Sequence, residues 1–269
     1  NSIDGEYLVV WAGRQESFGT VEVYGQRLDN SGAEVGADDF QIGDIDSFGD
    51  LGGSVAVSYN STGNEFLVVW NANDTSGADQ EIYGQRLDNS GNQVGANDFK
   101  ISDMGPQGDS GFFAFEPSIV YNSSNDEYFI TWQGNDAAGA DLYIFGQRIA
   151  PNGANIGNND FLISDVGFDS SDLTAPGDIG YATVLKGVAY NSISNEYLVV
   201  WNGDAAIDGN FEIFGQRLDA GANEIGATDF KISDMESSDA LAFWANSPDV
   251  AYSSFDRVYL VVWQGDDEV

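Results

Sequence analysis

The chain has 269 residues, 42% of them hydrophobic and 13% aromatic, with 44 Asp and Glu against 9 Lys and Arg for a formal net charge of −35. That apolar content supports a folded core despite the acidity, and the charge disfavours nucleic acid and anionic membrane surfaces while favouring cations or a basic partner. Cysteine and histidine are both absent, which excludes disulfides, thiolate or imidazole zinc sites and histidine-based catalytic triads.

The first stretch, NSIDGEYLVVW, has neither a basic start nor an apolar core of signal-peptide type and reads as mid-domain sequence. No apolar run approaches the roughly 18 residues of a membrane span, so no membrane insertion is expected. The run EYLVVW ends at Trp11 and returns as EFLVVW ending at Trp70, EYFITW at Trp132, EYLVVW at Trp201 and VYLVVW at Trp263. A long repeat of this kind decides the fold before any single residue does.

Each unit reads as four strand-like pieces. Piece a is short and apolar, as in SVAVSYN (54–60), SIVYN (118–122), GVAYN (187–191) and DVAYS (249–253). Piece b is the EYLVVW run, whose consecutive apolar positions predict a strand buried on both faces. Piece c carries Gly-Gln-Arg, as in EIYGQRLD, and piece d follows, as in QVGANDFKISD (93–103). Tight turn signals, NSTGN between a and b and NSG between c and d, join them as hairpins. No segment shows a sustained helical period.

Four antiparallel strands per unit, repeated about an axis, predict an all-β fold, a β-propeller of four-stranded blades. The units resemble propeller blades, and they also resemble the tandem repeats of large secreted or surface-anchored bacterial proteins. A β-solenoid is the alternative, though its rungs are usually shorter. Five copies of b against four each of a, c and d predict four or five blades, closed by both chain ends or belonging to an excised piece of a longer propeller. The whole of 1–269 is expected to form one domain, with units near 1–53, 54–116, 117–185, 186–248 and a partial 249–269.

Of six arginines, four lie in Gly-Gln-Arg: Arg27, Arg86, Arg148 and Arg217. A mid-strand charge needs a partner, and two sets of aspartates offer one, Asp39, Asp98, Asp160 and Asp229 before a phenylalanine and Asp44, Asp103, Asp165 and Asp234 at the end of piece d. These arginines are therefore expected to form structural ion pairs that pin blade to blade.

The long, variable b–c and d–a loops mark the expected working face. The b–c loops supply Asn73, Asp74, Asp79, Asn135, Asp136, Asp141, Asp204, Asp208 and Asp266, an oxygen-only set suited to Ca2+, although Asn, Asp and Gly also simply make turns. The d–a loops supply Phe112, Phe113, Phe115, Phe243 and Trp244, which would stack on sugar rings or grip a protein surface, or fold inward as a plug. Because nearly every polar residue recurs, the sequence leads to the expectation of a non-catalytic module. That module would be secreted or at the cell surface, calcium-stabilised, and would bind a glycan or a protein. The alternatives are a carboxylate-based glycan hydrolase or lyase and a purely structural repeat.

Overall fold

The computed structural model describes residues 1–14, 21–47, 54–73, 80–106, 109, 111–135, 142–164, 186–204, 211–235 and 245–265. Every regular element among them is a strand. None is a helix long and apolar enough to cross a membrane.

Strands β1 (Tyr7–Arg14), β2 (Val21–Leu28) and β3 (Glu34–Ser47) form one antiparallel sheet. Next come β4 (Val55–Asn60), β5 (Glu65–Asn73), β6 (Gln80–Asp88) and β7 (Gln93–Lys100), paired in chain order. The third set, β8 (Phe113–Asn122), β9 (Glu127–Asn135), β10 (Tyr143–Ile149) and β11 (Asn155–Leu162), touches the second through one parallel bridge, Gln80 to Phe113. A fourth sheet holds β12 (Lys186–Asn191), β13 (Glu196–Asp204), β14 (Phe211–Asp219) and β15 (Glu224–Lys231). Strands β16 (Ala245–Ser253) and β17 (Val258–Gly265) pair alone. Pieces a to d are thus strands in sequence order, and among the described residues three blades have all four.

Contacts divide the chain into two compact units, residues 1–132 with 147–160, and residues 133–146 with 161–269. In the first, Val23, Ile42, Phe66, Val68, Trp70 and Leu87 are buried together. In the second, Leu198, Val200, Ile213, Ala245 and Val250 form the equivalent cluster. Leu67, Val68, Val69 and Trp70 are all fully buried, so β5 is covered on both faces, as its unbroken apolar run requires.

The Gly-Gln-Arg tripeptide organises a wide bulge. Gly84 pairs with Phe99 and Arg86 with Val94, so residues 95–98 loop out of β7 opposite Gln85. The buried Gln85 side chain fills that gap: its Nε2 donates to the Arg86 carbonyl at 2.8 Å, and its Oε1 accepts from the Asp98 N–H at 3.0 Å. The bulge opens with Gly95 at φ 84° and closes with Asp98 at φ 44°. Gln26 with Asp39, Gln147 with Asp160 and Gln216 with Asp229 repeat the arrangement. A Cβ on Gly84 would lie 2.9 Å from Ile101 Cδ1 and 3.1 Å from Phe99 Cζ, which is why the residue before the glutamine has no side chain. A buried tryptophan meets a different glycine, Gly43, whose Cβ would lie 2.6 Å from Trp70 Cζ2.

Candidate active site

The arginines pair with glutamates rather than with the expected aspartates. Arg27 meets Glu6, Arg86 meets Glu65 and Arg217 meets Glu196 at 2.6 Å, and Arg148 meets Glu127 at 2.7 Å. Glu65, Glu127 and Glu196 begin the b strand of the arginine's own blade, and Glu6 immediately precedes β1. Register explains this: Arg86 lies opposite Leu67, so the residue two places back, Glu65, shares the arginine's face. These ion pairs therefore join strands b and c of one blade and are not pins between blades. A seam contact exists beside them, the Arg27 Nη1 donating to the Ser90 carbonyl at 3.2 Å.

The aspartates that the arginines leave aside meet one another at the end of β7. The Asp103 N–H donates to Asp160 Oδ2 at 2.7 Å, and Asn159 Nδ2 donates to the same oxygen at 3.0 Å. Asp160 closes the bulge of β11 at φ 49°. Asp103 stands at the root of the d–a loop, with its side chain 66% exposed. Lys100 Nζ bridges Asp103 Oδ1 at 2.6 Å and Glu81 Oε1 at 2.9 Å.

Glu81 is buried in β6 and accepts from Ser102 Oγ and, at 3.2 Å, from the Met104 N–H. Burial pushes the Glu81 carboxyl up, opposed by Ser102, Lys100 and Met104. Desolvation works against the Lys100 charge, but hydrogen bonds to Asp103 and Glu81 outweigh it and hold the ammonium above its usual value.

Asp160 is pushed up to about 7. Burial is the main cause, with the negative charges of Glu81 and Asp103 adding to it, while the Asp103 N–H and Lys100 act the other way. A carboxyl that holds its proton near neutrality beside a second, exposed carboxylate is equipped for acid–base chemistry. The Glu–Lys–Asp half of this arrangement recurs in the fourth blade at Glu212, Lys231 and Asp234, but not in the other two. Tyr143 and Leu162 replace the Glu81–Lys100 pair in the third blade, and Glu22 with Gln41 does so in the first.

The expected loop sites are placed only in part. Asn73 and Asn135 end β5 and β9, and Asp204 ends β13. Asp74, Asp79, Asp136, Asp141, Asp208 and Asp266 lie outside the described residues. Among the described residues no three acidic side chains group as a metal site. Phe112 packs on Gly105, where a Cβ would lie 2.2 Å from its Cγ. Phe113 and Phe115 are half-buried, with ring centroids 5.3 Å apart, so these aromatics brace the loop that follows Asp103. Phe243 and Trp244 lie outside the described residues.

No family model matches the chain, and no curated protein matches it. Solved structures do. The endo-arabinase from Bacteroides thetaiotaomicron VPI-5482 aligns with 98% of this chain and 86% of its own, at TM-score 0.52 and 12% identity. A thermostable family-43 glycoside hydrolase aligns over 96% and 84%, at TM-score 0.47 and 13% identity. A putative exo-β-1,3-galactanase from Bifidobacterium bifidum s17 aligns over 100% and 86%, at TM-score 0.48 and 11% identity. The fold is thus an all-β β-propeller of four-stranded antiparallel blades.

This finding corrects two expectations, that the chain is a non-catalytic binding and adhesion module and that it is no enzyme. The endo-arabinase that it resembles at TM-score 0.52 bears the name of a glycan-cleaving enzyme. The repetition of polar residues, on which both expectations rested, does not by itself argue against catalysis, because repeated residues of neighbouring blades can also meet, as Asp103 and Asp160 do.

Proposed function

We propose that the chain is a glycan-acting hydrolase that works through two carboxyl groups. Asp160 would deliver a proton to the glycosidic oxygen as the bond to the sugar carbon breaks. The Asp103 carboxylate would act on the opposite side, on water or on that carbon. The observation that carries this reading is Asp160, a buried carboxyl held up to about 7, which accepts from the backbone N–H of Asp103 and feels the negative charge of that residue's side chain. The likeness to an endo-arabinase fold supports it.

The net charge of −35 makes polyuronates and sulfated chains poor substrates, so the reading extends to neutral polysaccharides of the arabinan or galactan kind. It extends also to work outside the cell, where such polymers are met, and to Ca2+ as a structural ion on the acidic b–c loops, for which their oxygen-bearing side chains are the support.

The test is release of reducing ends from neutral arabinan and galactan across pH 4 to 8, by the unaltered protein and by Asp160→Asn and Asp103→Asn. Release that both substitutions lower at least a hundredfold is expected. No release from either polymer, or full activity in both variants, would overturn the proposal.

A further inference from the structure

The Asp103–Asp160 contact depends on where the end of β7 is held, and that position is set from inside the blade. Glu81 grips residues on both sides of Asp103 without touching it: Ser102 Oγ and the Met104 N–H bind one carboxylate, which Lys100 Nζ reaches at 2.9 Å. Ser102 Oγ in turn accepts from the Ile82 N–H at 2.8 Å, locking the strand end against β6. Trp132 Nε1 closes the other side on Met104 Sδ at 3.3 Å. Residues 100–104 therefore have little freedom, and the Asp103 N–H is left pointing at Asp160.

The fourth blade contains the same device. Glu212 is buried and takes Ser233 Oγ, the Met235 N–H at 2.9 Å and Lys231 Nζ at 3.0 Å, while Lys231 reaches Asp234 at 3.1 Å. Among the described residues, however, no carboxylate accepts from the Asp234 N–H. Among the described residues the clamp thus occurs twice, and one copy has a carboxyl partner for the aspartate it holds.

We infer that Glu81 is a positioning residue that holds Asp103 in register with Asp160, and that Glu212 is the same clamp without a dependent pair. The inference rests on the reading of Asp103 and Asp160 as the working carboxyls. A purely structural glutamate would affect its own blade alike in both places; a positioning glutamate separates them.

The experiment compares Glu81→Gln with Glu212→Gln. Gln can still accept from the serine and the backbone N–H but no longer attracts the lysine. Lys100→Met, which cuts the same link from the partly exposed side, serves as a second variant should Glu81→Gln fail to fold. Exchange of the Asp103 amide hydrogen is followed by NMR, together with the thermal midpoint and release of sugar from arabinan.

Expected is an exchange rate at Asp103 at least tenfold faster in Glu81→Gln and Lys100→Met, unchanged in Glu212→Gln, with similar losses of midpoint in the two glutamine variants. An Asp103 amide as protected in both Glu81→Gln and Lys100→Met as in the unaltered protein would overturn the inference. Faster exchange at Asp103 with no sugar release from any form would uphold the clamp and sink the hydrolase reading instead.

Discussion

Arg148 and Glu127 meet as a two-pronged fork, Nε 3.0 Å from Oε1 and Nη2 2.7 Å from Oε2, with the glutamate side chain only 3% exposed. The same pair in the fourth blade, Arg217 and Glu196, makes a single close contact at 2.6 Å, with the arginine 43% exposed. One motif thus produces ion pairs of different burial, which lets the value of the pair be measured inside one molecule.

Glu127→Gln should cost about 3 kcal/mol, because it strands a desolvated guanidinium. Glu196→Gln should cost about 1 kcal/mol or less, because water screens the more open arginine. Urea unfolding of both variants checks this, and equal losses would show that burial does not set the value of these pairs.

Gln85→Leu removes the plug of the bulge in β7 and leaves the Asp98 N–H without its acceptor. Stranding a buried donor costs about 1–3 kcal/mol. The loss should appear in the unfolding midpoint and in faster amide exchange at Asp98, with the tight 88–92 turn, held by its own Asp88 hydrogen bonds, unaffected.

Gly43→Ala places a methyl group 2.6 Å from Trp70 Cζ2. Overpacking of this kind costs about 1–3 kcal/mol. Trp70 is fully buried, so the substitution should shift its fluorescence as well as the midpoint. Gly84→Ala should destabilise to a similar degree without that spectral change, since its neighbours are Ile101, Phe99 and Leu67.

Asp160 gives a pH signature. Its carboxyl holds a proton up to about 7 when folded, against 3.8 for an ordinary aspartate. Between those values the folded state binds the proton more tightly than the unfolded chain, so this group's contribution to stability falls as pH rises from about 4 to about 7. Asp160→Asn, which keeps an acceptor for the Asp103 N–H, should therefore raise the midpoint by a few degrees at pH 8 relative to its effect at pH 3.5. The same gain at both pH values would show that Asp160 is not perturbed.

Calcium should raise the midpoint by several degrees over sodium at equal ionic strength, and excess chelator should reverse the gain, by mass action on the folded state. An unchanged midpoint would leave the acidic b–c loops as turns only.

Much of this architecture was legible in the sequence, because the unbroken apolar run of each b strand and the Asn-Ser-Gly turns state their conformation locally. The arginine partners were legible too, in a signal the aspartates obscured. Four of the five b copies begin with glutamate, as many as there are Gly-Gln-Arg tripeptides, and antiparallel register brings the two together. The lysines carried a similar clue: Lys100 and Lys231 occur in the two blades whose c strand has glutamate at 81 or 212 and serine at 102 or 233. Asp160 was a different matter. Its altered proton affinity comes from Asp103 and Glu81, 57 and 79 residues away, as their numbers show, and from burial that no local pattern records.

The glutamate, the arginine and the plugged bulge lie together within one blade, and the Arg27 contact with Ser90 adds a link to the next. A unit built this way can be copied or deleted with its charges already neutralised, so that only the seams need adjusting. Gene duplication could therefore lengthen or shorten such an array at small cost, and a new activity could arise at one seam by a change in just two or three residues, while every other seam kept its old role.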